Sequence, residues 1–242
     1  MPALVVGHRG GRGAGWPPEN TIAAFEKARI AGARAVELDV RPCAGGQVVV
    51  FHDATLERMT VSADKRAVSD VSFAELARLD LGGGASIPAL ADVLEWARSH
   101  DVGVNVELKR DVPSRIDLVR ETMKVFRAHP ADVLWSSFDP MLLALVAGLK
   151  VSSPRALLTE SGLPVWALAL ERLVRPPLVS AIHLDAQQAH TSISACLKRG
   201  LRVGVWTIND AEEAIALFDR GARTVITDAP DRVLAALASR AQ

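Results

Sequence analysis

Glu37 and Asp39 stand two residues apart in the run Ala35–Val40, and Glu107 and Lys109 stand two apart at the end of Gly103–Leu108. In an extended strand, residues i and i+2 share a face. Each pair therefore points one way. Three carboxylates converging on one place repel one another unless a hard cation or bound protons neutralise them. An all-oxygen donor set suits Mg²⁺ or Ca²⁺ better than zinc. His8-Arg9 follows the apolar run Ala3–Val6, and His52-Asp53 follows Val48–Phe51. Imidazoles titrate near neutrality, which suits them to proton transfer. Taken singly, each residue also has a plain structural reading: Glu107 and Lys109 as an ion pair, His8 and His52 as satisfied histidines. The coincidence favours chemistry, because the acid, base, ligand and cation candidates end separate apolar runs.

The elements that must position them are short β-branched runs alternating with amphipathic stretches. The runs are Ala3–Val6, Ala35–Val40, Val48–Phe51, Gly103–Leu108, Val133–Trp135, Ala156–Leu158, Val179–His183, Arg202–Trp206 and Thr224–Ile226. Several are continuously apolar, as strands buried on both faces are. Between them the spacing predicts helices over Thr21–Ala31 (with Asn20 as cap), Pro88–Ser99, Ile116–Ala128, Pro140–Gly148, Val165–Val174, Ile193–Arg199, Ala211–Asp219 and Val233–Ser239. Gly32, Gly200 and Gly221 each follow a helix and precede a strand, where a left-handed cap is needed. With Val48–Phe51 as a side excursion, about eight strands alternate with helices. That is the pattern and size of a (β/α)8 TIM barrel; a doubly wound open sheet is the alternative. The stretch Gly45–Gly84 breaks the alternation and reads as an insertion after the second strand, within a single domain spanning residues 1–242.

In a barrel the site lies where the strands end. Ser136, Ser137, Asp139, His183, Asp185, Trp206, Asn209 and Asp228 also fall there. Trp206 offers an apolar wall, Phe138 a lesser one. His183 is placed at the barrel top without a catalytic role.

Composition excludes several classes. The 242 residues carry 28 Lys+Arg against 28 Asp+Glu, so no excess positive charge marks a nucleic-acid footprint. Aromatics are only 5% and Tyr is absent, which removes a stacking platform. Two cysteines, Cys43 and Cys196, make no disulfide framework. Met141–Leu149 is the longest apolar stretch and is too short to span a bilayer. Met1–Gly7 has no basic residues ahead of it, so no leader is expected and the chain reads as cytoplasmic.

His8-Arg9-Gly10, Pro18-Glu19-Asn20-Thr21, Glu37-Leu38-Asp39-Val40 and Val50-Phe51-His52-Asp53 with Leu56 and Arg58 form an ordered set of blocks. Val106-Glu107-Leu108-Lys109, Ser137-Phe138, Trp206-Thr207-Ile208-Asn209 and Thr227-Asp228-Ala229-Pro230 continue it. The set resembles the glycerophosphodiester phosphodiesterase family from His8 to Pro230. The resemblance implies a TIM barrel with a small insertion. It implies one divalent cation, Mg²⁺ or Ca²⁺ with Mn²⁺ possible, on Glu37, Asp39 and Glu107. It implies acid–base roles for His8 and His52, with His52 leaning to the leaving-group side, and phosphate contacts from Arg9 and Lys109. Two departures stand out: the Gly-rich stretch Gly10–Gly15 is longer than the family's usual spacing, and Met59–Asp64 diverges after Arg58.

The expected reaction is hydrolysis of glycerophosphodiesters, such as glycerophosphocholine or glycerophosphoethanolamine, to sn-glycerol 3-phosphate and an alcohol. The expected partner is that small molecule, with no nucleic acid and no stable membrane insertion. Two other readings stand beside it. A lysophospholipase D would need a lipid groove, and no basic amphipathic helix supplies one. A non-catalytic barrel binding phosphorylated ligands would not need His8, His52, Glu37, Asp39, Glu107 and Lys109 together.

Overall fold

The computed structural model describes residues 3–161 and 178–240. Eight strands lie parallel in a closed ring: β1 (Leu4–Gly7), β2 (Ala35–Pro42), β4 (Gly103–Leu108), β5 (Val133–Ser137), β6 (Arg155–Leu158), β7 (Ala181–Asp185), β8 (Arg202–Trp206) and β9 (Thr224–Thr227). The ring closes through β1, which pairs with β2 on one side and β9 on the other. β3 (Val48–Val50) lies outside the ring, antiparallel to β2. The helices are α1 (Ile22–Ile30), α2 (Phe73–Leu76), α3 (Leu90–Ser99), α4 (Arg115–Ala128), α5 (Pro140–Gly148), α6 (Ala186–Lys198), α7 (Ala211–Asp219) and α8 (Pro230–Arg240). The helix expected over Val165–Val174 lies outside the described residues. Among the described residues no helix is long and apolar enough to cross a membrane.

Alternation along each strand divides the side chains. Val36, Leu38 and Val40 of β2 face outward and pack with Phe25, Ala28, Leu90 and Leu94 of α1 and α3. Their neighbours Glu37 and Asp39 face inward. Burying each such Leu or Val contributes roughly 1.5–3 kcal/mol, so the shell supports the polar interior. Residues 43–87 carry a separate hydrophobic cluster of Cys43, Val49, Phe51, Leu56, Leu76 and Ile87, among others. That cluster anchors the stretch on which His52 and Arg58 sit.

Three expectations are corrected. Thr21, not Asn20, caps α1: its side chain accepts from Ala24 N at 3.2 Å. α6 begins at Ala186 rather than Ile193, because Asp185 caps it by accepting from Gln188 N at 2.7 Å. His183 is not at the barrel top. It sits in the middle of β7, 2% exposed, with its ring against Gly204 of β8. A Cβ on Gly204 would come within 2.5 Å of that ring, so the glycine makes room for it.

Burial, with Arg202 adding to it, lowers the His183 pKa to about 4. An unfolded histidine titrates near 6.5. Between these values the unfolded chain takes up a proton that the folded chain refuses. Stability from this group is therefore complete above about pH 6.5 and lost as pH falls towards 4, by about 3 kcal/mol in all. Urea unfolding at pH 7 and pH 4.5 should show a smaller fall for His183→Gln than for the unsubstituted protein. Equal falls would show that His183 titrates normally.

Candidate active site

A cavity of about 530 Å³ opens among the C-terminal ends of the strands. His8, Arg9, Glu37, His52, Glu107, Lys109 and Trp206 all line it. Asp39 lies just behind, 1% exposed. The structure thus brings together every site residue expected from the sequence.

The carboxylates come first. Glu37 and Asp39 share the inner face of β2, and the β2–β4 register sets Asp39 beside Glu107. One oxygen from each of Glu37, Asp39 and Glu107 lies within 4.8 Å of the others. Burial and the two neighbouring carboxylates push the Glu37 pKa well up. Burial and Asp39 bring Glu107 to about 7, with Lys109 and Arg9 pulling the other way. Burial also acts against the Asp39 charge. There Lys109, Arg9 and a hydrogen bond from Asn20 prevail and hold it well below the usual range. Asn20 Nδ2 donates to Asp39 Oδ2 at 2.9 Å from a left-handed backbone (φ 59°). The donor set is all oxygen and buried, which fits a hard divalent cation.

Two cations already stand against the cluster. Lys109 Nζ lies 2.9 Å from Glu107 and 3.3 Å from Asp39. Arg9 Nε lies 3.2 Å from Asp39, and its backbone N donates to Glu37 at 2.9 Å. Burial opposes both charges, but the facing carboxylates outweigh it and raise both pKa values.

The two histidines are held alike. His8 Nδ1 lies 2.7 Å from Asp228, and His52 Nδ1 lies 2.6 Å from Asp53. A carboxylate on Nδ1 fixes the ring and leaves Nε2 for chemistry; His8 Nε2 faces Glu37 at 3.9 Å. Burial lowers the His52 pKa, and Lys109 and Arg9 add to this while Asp39 and Asp53 oppose it. Asp228 is steadied by Asn209, whose Nδ2 donates to it at 3.0 Å.

Opposite the carboxylates the wall is aromatic. Trp206 and Phe138 meet edge to face at 5.4 Å. Trp206 Nε1 donates to the His183 carbonyl at 3.2 Å, which fixes the indole. Ser137 and Asp139 do other work. Ser137 donates to the Leu108 carbonyl, and Asp139 caps α5 through Met141 N.

Sequence reasoning missed Arg12 and left Glu19 without a role. Arg12 Nε donates to Asp228 at 2.9 Å, and Arg58 Nε donates to Asp53 at 2.5 Å. Both arginines and Arg9 reach the buried Glu19. Burial acts against the Glu19 charge, yet Arg58 and Arg9 keep its carboxyl far below the usual range. The one sequence signal was the density of arginines in the loops after β1 and β3.

The chain is similar to known proteins over nearly its whole length. The profile of the Glycerophosphoryl diester phosphodiesterase family matches residues 8–232. A glycerophosphodiester phosphodiesterase of Caldanaerobacter subterraneus is 30% identical over 246 residues, covering 97% of each chain. An Oleispira antarctica phosphodiesterase, solved with the product sn-glycerol-3-phosphate, superposes with a TM-score of 0.84. It is 26% identical, with 97% of this chain and 96% of that one covered. A Thermotoga maritima glycerophosphodiester phosphodiesterase is 27% identical with a TM-score of 0.76, covering 97% and 98% of the two chains.

Proposed function

Because the chain belongs to the glycerophosphoryl diester phosphodiesterase family and is a phosphoric diester hydrolase, we propose that it cleaves glycerophosphodiesters such as glycerophosphocholine, with cation help, to sn-glycerol 3-phosphate and an alcohol. The observation carrying this reading is the cavity itself. Two carboxylate-held histidines line it together with Glu37 and Glu107 of the three clustered carboxylates, and Arg9 and Lys109 stand against that cluster. The chain acts as one catalytic unit, in which the inserted stretch 45–84 delivers His52.

A phosphodiester resists attack because its oxygens are negative. Arg9 offers a planar fork and Lys109 a point charge to those oxygens. Held by Glu37, Asp39 and Glu107, a divalent cation such as Mg²⁺ or Ca²⁺ supplies further charge neutralisation. His8 takes the proton of the glycerol 2-hydroxyl as that oxygen bonds to phosphorus. His52 gives its proton to the departing alkoxide as the other P–O bond breaks. Water then opens the cyclic phosphate, with the two roles reversed. The His52 side chain is 30% exposed against 11% for His8, so it stands nearer the mouth by which the alcohol leaves. Trp206 and Phe138 face the carbon atoms of the substrate.

The direct test is release of sn-glycerol 3-phosphate from glycerophosphocholine in the presence of Mg²⁺ or Ca²⁺. No release with any divalent cation would overturn this reading. Lys109→Met should still fold and should turn over at least tenfold more slowly, on the order of the loss of one charge-stabilising donor. A Lys109→Met chain that unfolds would instead make Lys109 a structural ion-pair partner of Asp39 and Glu107.

A further inference from the structure

We infer that Glu19 is a positioning residue for both histidines at once, acting through Arg12 and Arg58. The inference rests on the roles proposed for His8 and His52. Two parallel chains of contacts lead from the cavity to one carboxylate. On one side His8 Nδ1 meets Asp228 Oδ1 at 2.7 Å. Arg12 grips that aspartate with Nε at 2.9 Å and Nη2 at 3.2 Å, and its Nη1 donates to Glu19 Oε2 at 3.3 Å. On the other side His52 Nδ1 meets Asp53 Oδ1 at 2.6 Å. Arg58 grips Asp53 with Nε at 2.5 Å and Nη2 at 3.1 Å, and Nη2 also donates to Glu19 Oε1 at 2.7 Å. Arg9 adds a third arm, Nη1 to Glu19 Oε1 at 2.7 Å.

The environment matches this role. Glu19 is 7% exposed, whereas Arg12 and Arg58 are 38% and 47% exposed. A long arginine at the surface loses much rotamer entropy when fixed. A buried carboxylate gives both guanidinium groups one fixed point, and fork-on-carboxylate contacts add directional constraint. Each histidine sits on a different loop, one after β1 and one after β3. The β1–β2 and β2–β3 pairings set where these two loops leave the strands, and Arg41 of β2 holds the His52 carbonyl at 2.7 Å. Beyond the strands, the bridge through Glu19 ties the two histidine-bearing loops to each other.

The experiment uses two diesters of glycerol 3-phosphate, one releasing choline and one releasing p-nitrophenol. The aryl leaving group departs without a proton, so p-nitrophenol release in a single turnover, before the cyclic phosphate opens, reports the base side alone. Glu19→Gln keeps the shape and removes the charge that holds both arms. It should lower kcat for the choline diester by about 10–100-fold, the usual cost of misplacing a catalytic group from behind, with KM changing much less. The loss should be smaller for the aryl diester. Arg58→Gln cuts only the His52 arm and should show the same leaving-group contrast. Arg12→Gln cuts only the His8 arm and should slow both diesters alike. Because Arg58 and Arg12 are partly exposed, these two variants test the inference even where Glu19→Gln folds poorly.

Near-normal kcat in Arg12→Gln and Arg58→Gln, or losses confined to KM, would overturn the inference and leave Glu19 as the partner of Arg9 alone. The underlying reading fails differently. In that case His8→Ala and His52→Ala would themselves turn over normally.

Discussion

His52→Ala should lower turnover of a glycerophosphodiester by a hundredfold or more. A positioned general acid or base is typically worth roughly 10²–10⁴-fold. Among the described residues that line the cavity, His8 and His52 are the histidines. His8 is itself held by Asp228 at 2.7 Å. The alcohol leaving a natural diester is a poor leaving group, and without a proton it departs as an alkoxide. His8→Ala should cost as much for the opposite reason, since the attacking hydroxyl then keeps its proton. Steady-state kinetics on both variants, with circular dichroism to confirm the fold, checks this. Turnover within a few-fold of normal would remove the histidines from the mechanism.

Chelation is the second large effect. EDTA should abolish turnover, and Mg²⁺, Mn²⁺ or Ca²⁺ should restore it. Lys109 and Arg9 stand 2.9–3.3 Å from the carboxylates, so those carboxylates compete with a substrate phosphate for the two positive charges. Burial and like charge then favour protons on Glu37 and Glu107. The same site gives a readout apart from activity. A ligand bound only by the folded state stabilises it by about 2.7 kcal/mol at a hundred times its Kd. Adding Mg²⁺ or Ca²⁺ should therefore raise the melting temperature. Glu37→Gln and Asp39→Asn should lose that rise. Full turnover in EDTA would remove the cation from the mechanism.

Much of this was legible in the residues. Gly103–Leu108 and Arg202–Trp206 match their strands end for end, because apolar runs between turn residues have few other solutions. The carboxylate cluster followed from two spacings of two. What stayed hidden was polar and long-range. β5 runs on through Ser136 and Ser137, and α6 opens with Gln187, Gln188 and His190; neither stretch carries an apolar period. Asn20 was read as the cap of α1, but Thr21 beside it is of a capping type too and takes that place. The fold settled it by giving Asn20 to Asp39, 19 residues away. The arginines on Glu19 showed only as a density of arginines in two loops, since loop contacts follow no periodicity that would name their partner.

The ring of strands closes where β1 meets β9, and that seam sets His8 against Asp228 across 220 residues of sequence. A chain leaving the ribosome emerges N-terminus first, at about 5–20 residues per second. His8, Glu37, His52 and Glu107 are exposed early, yet the partner that fixes His8 arrives only with the last strand. On the reading proposed above, the nascent polypeptide therefore carries most of the site's residues before the contact that fixes His8 can form, and the site is completed only with the β1–β9 seam.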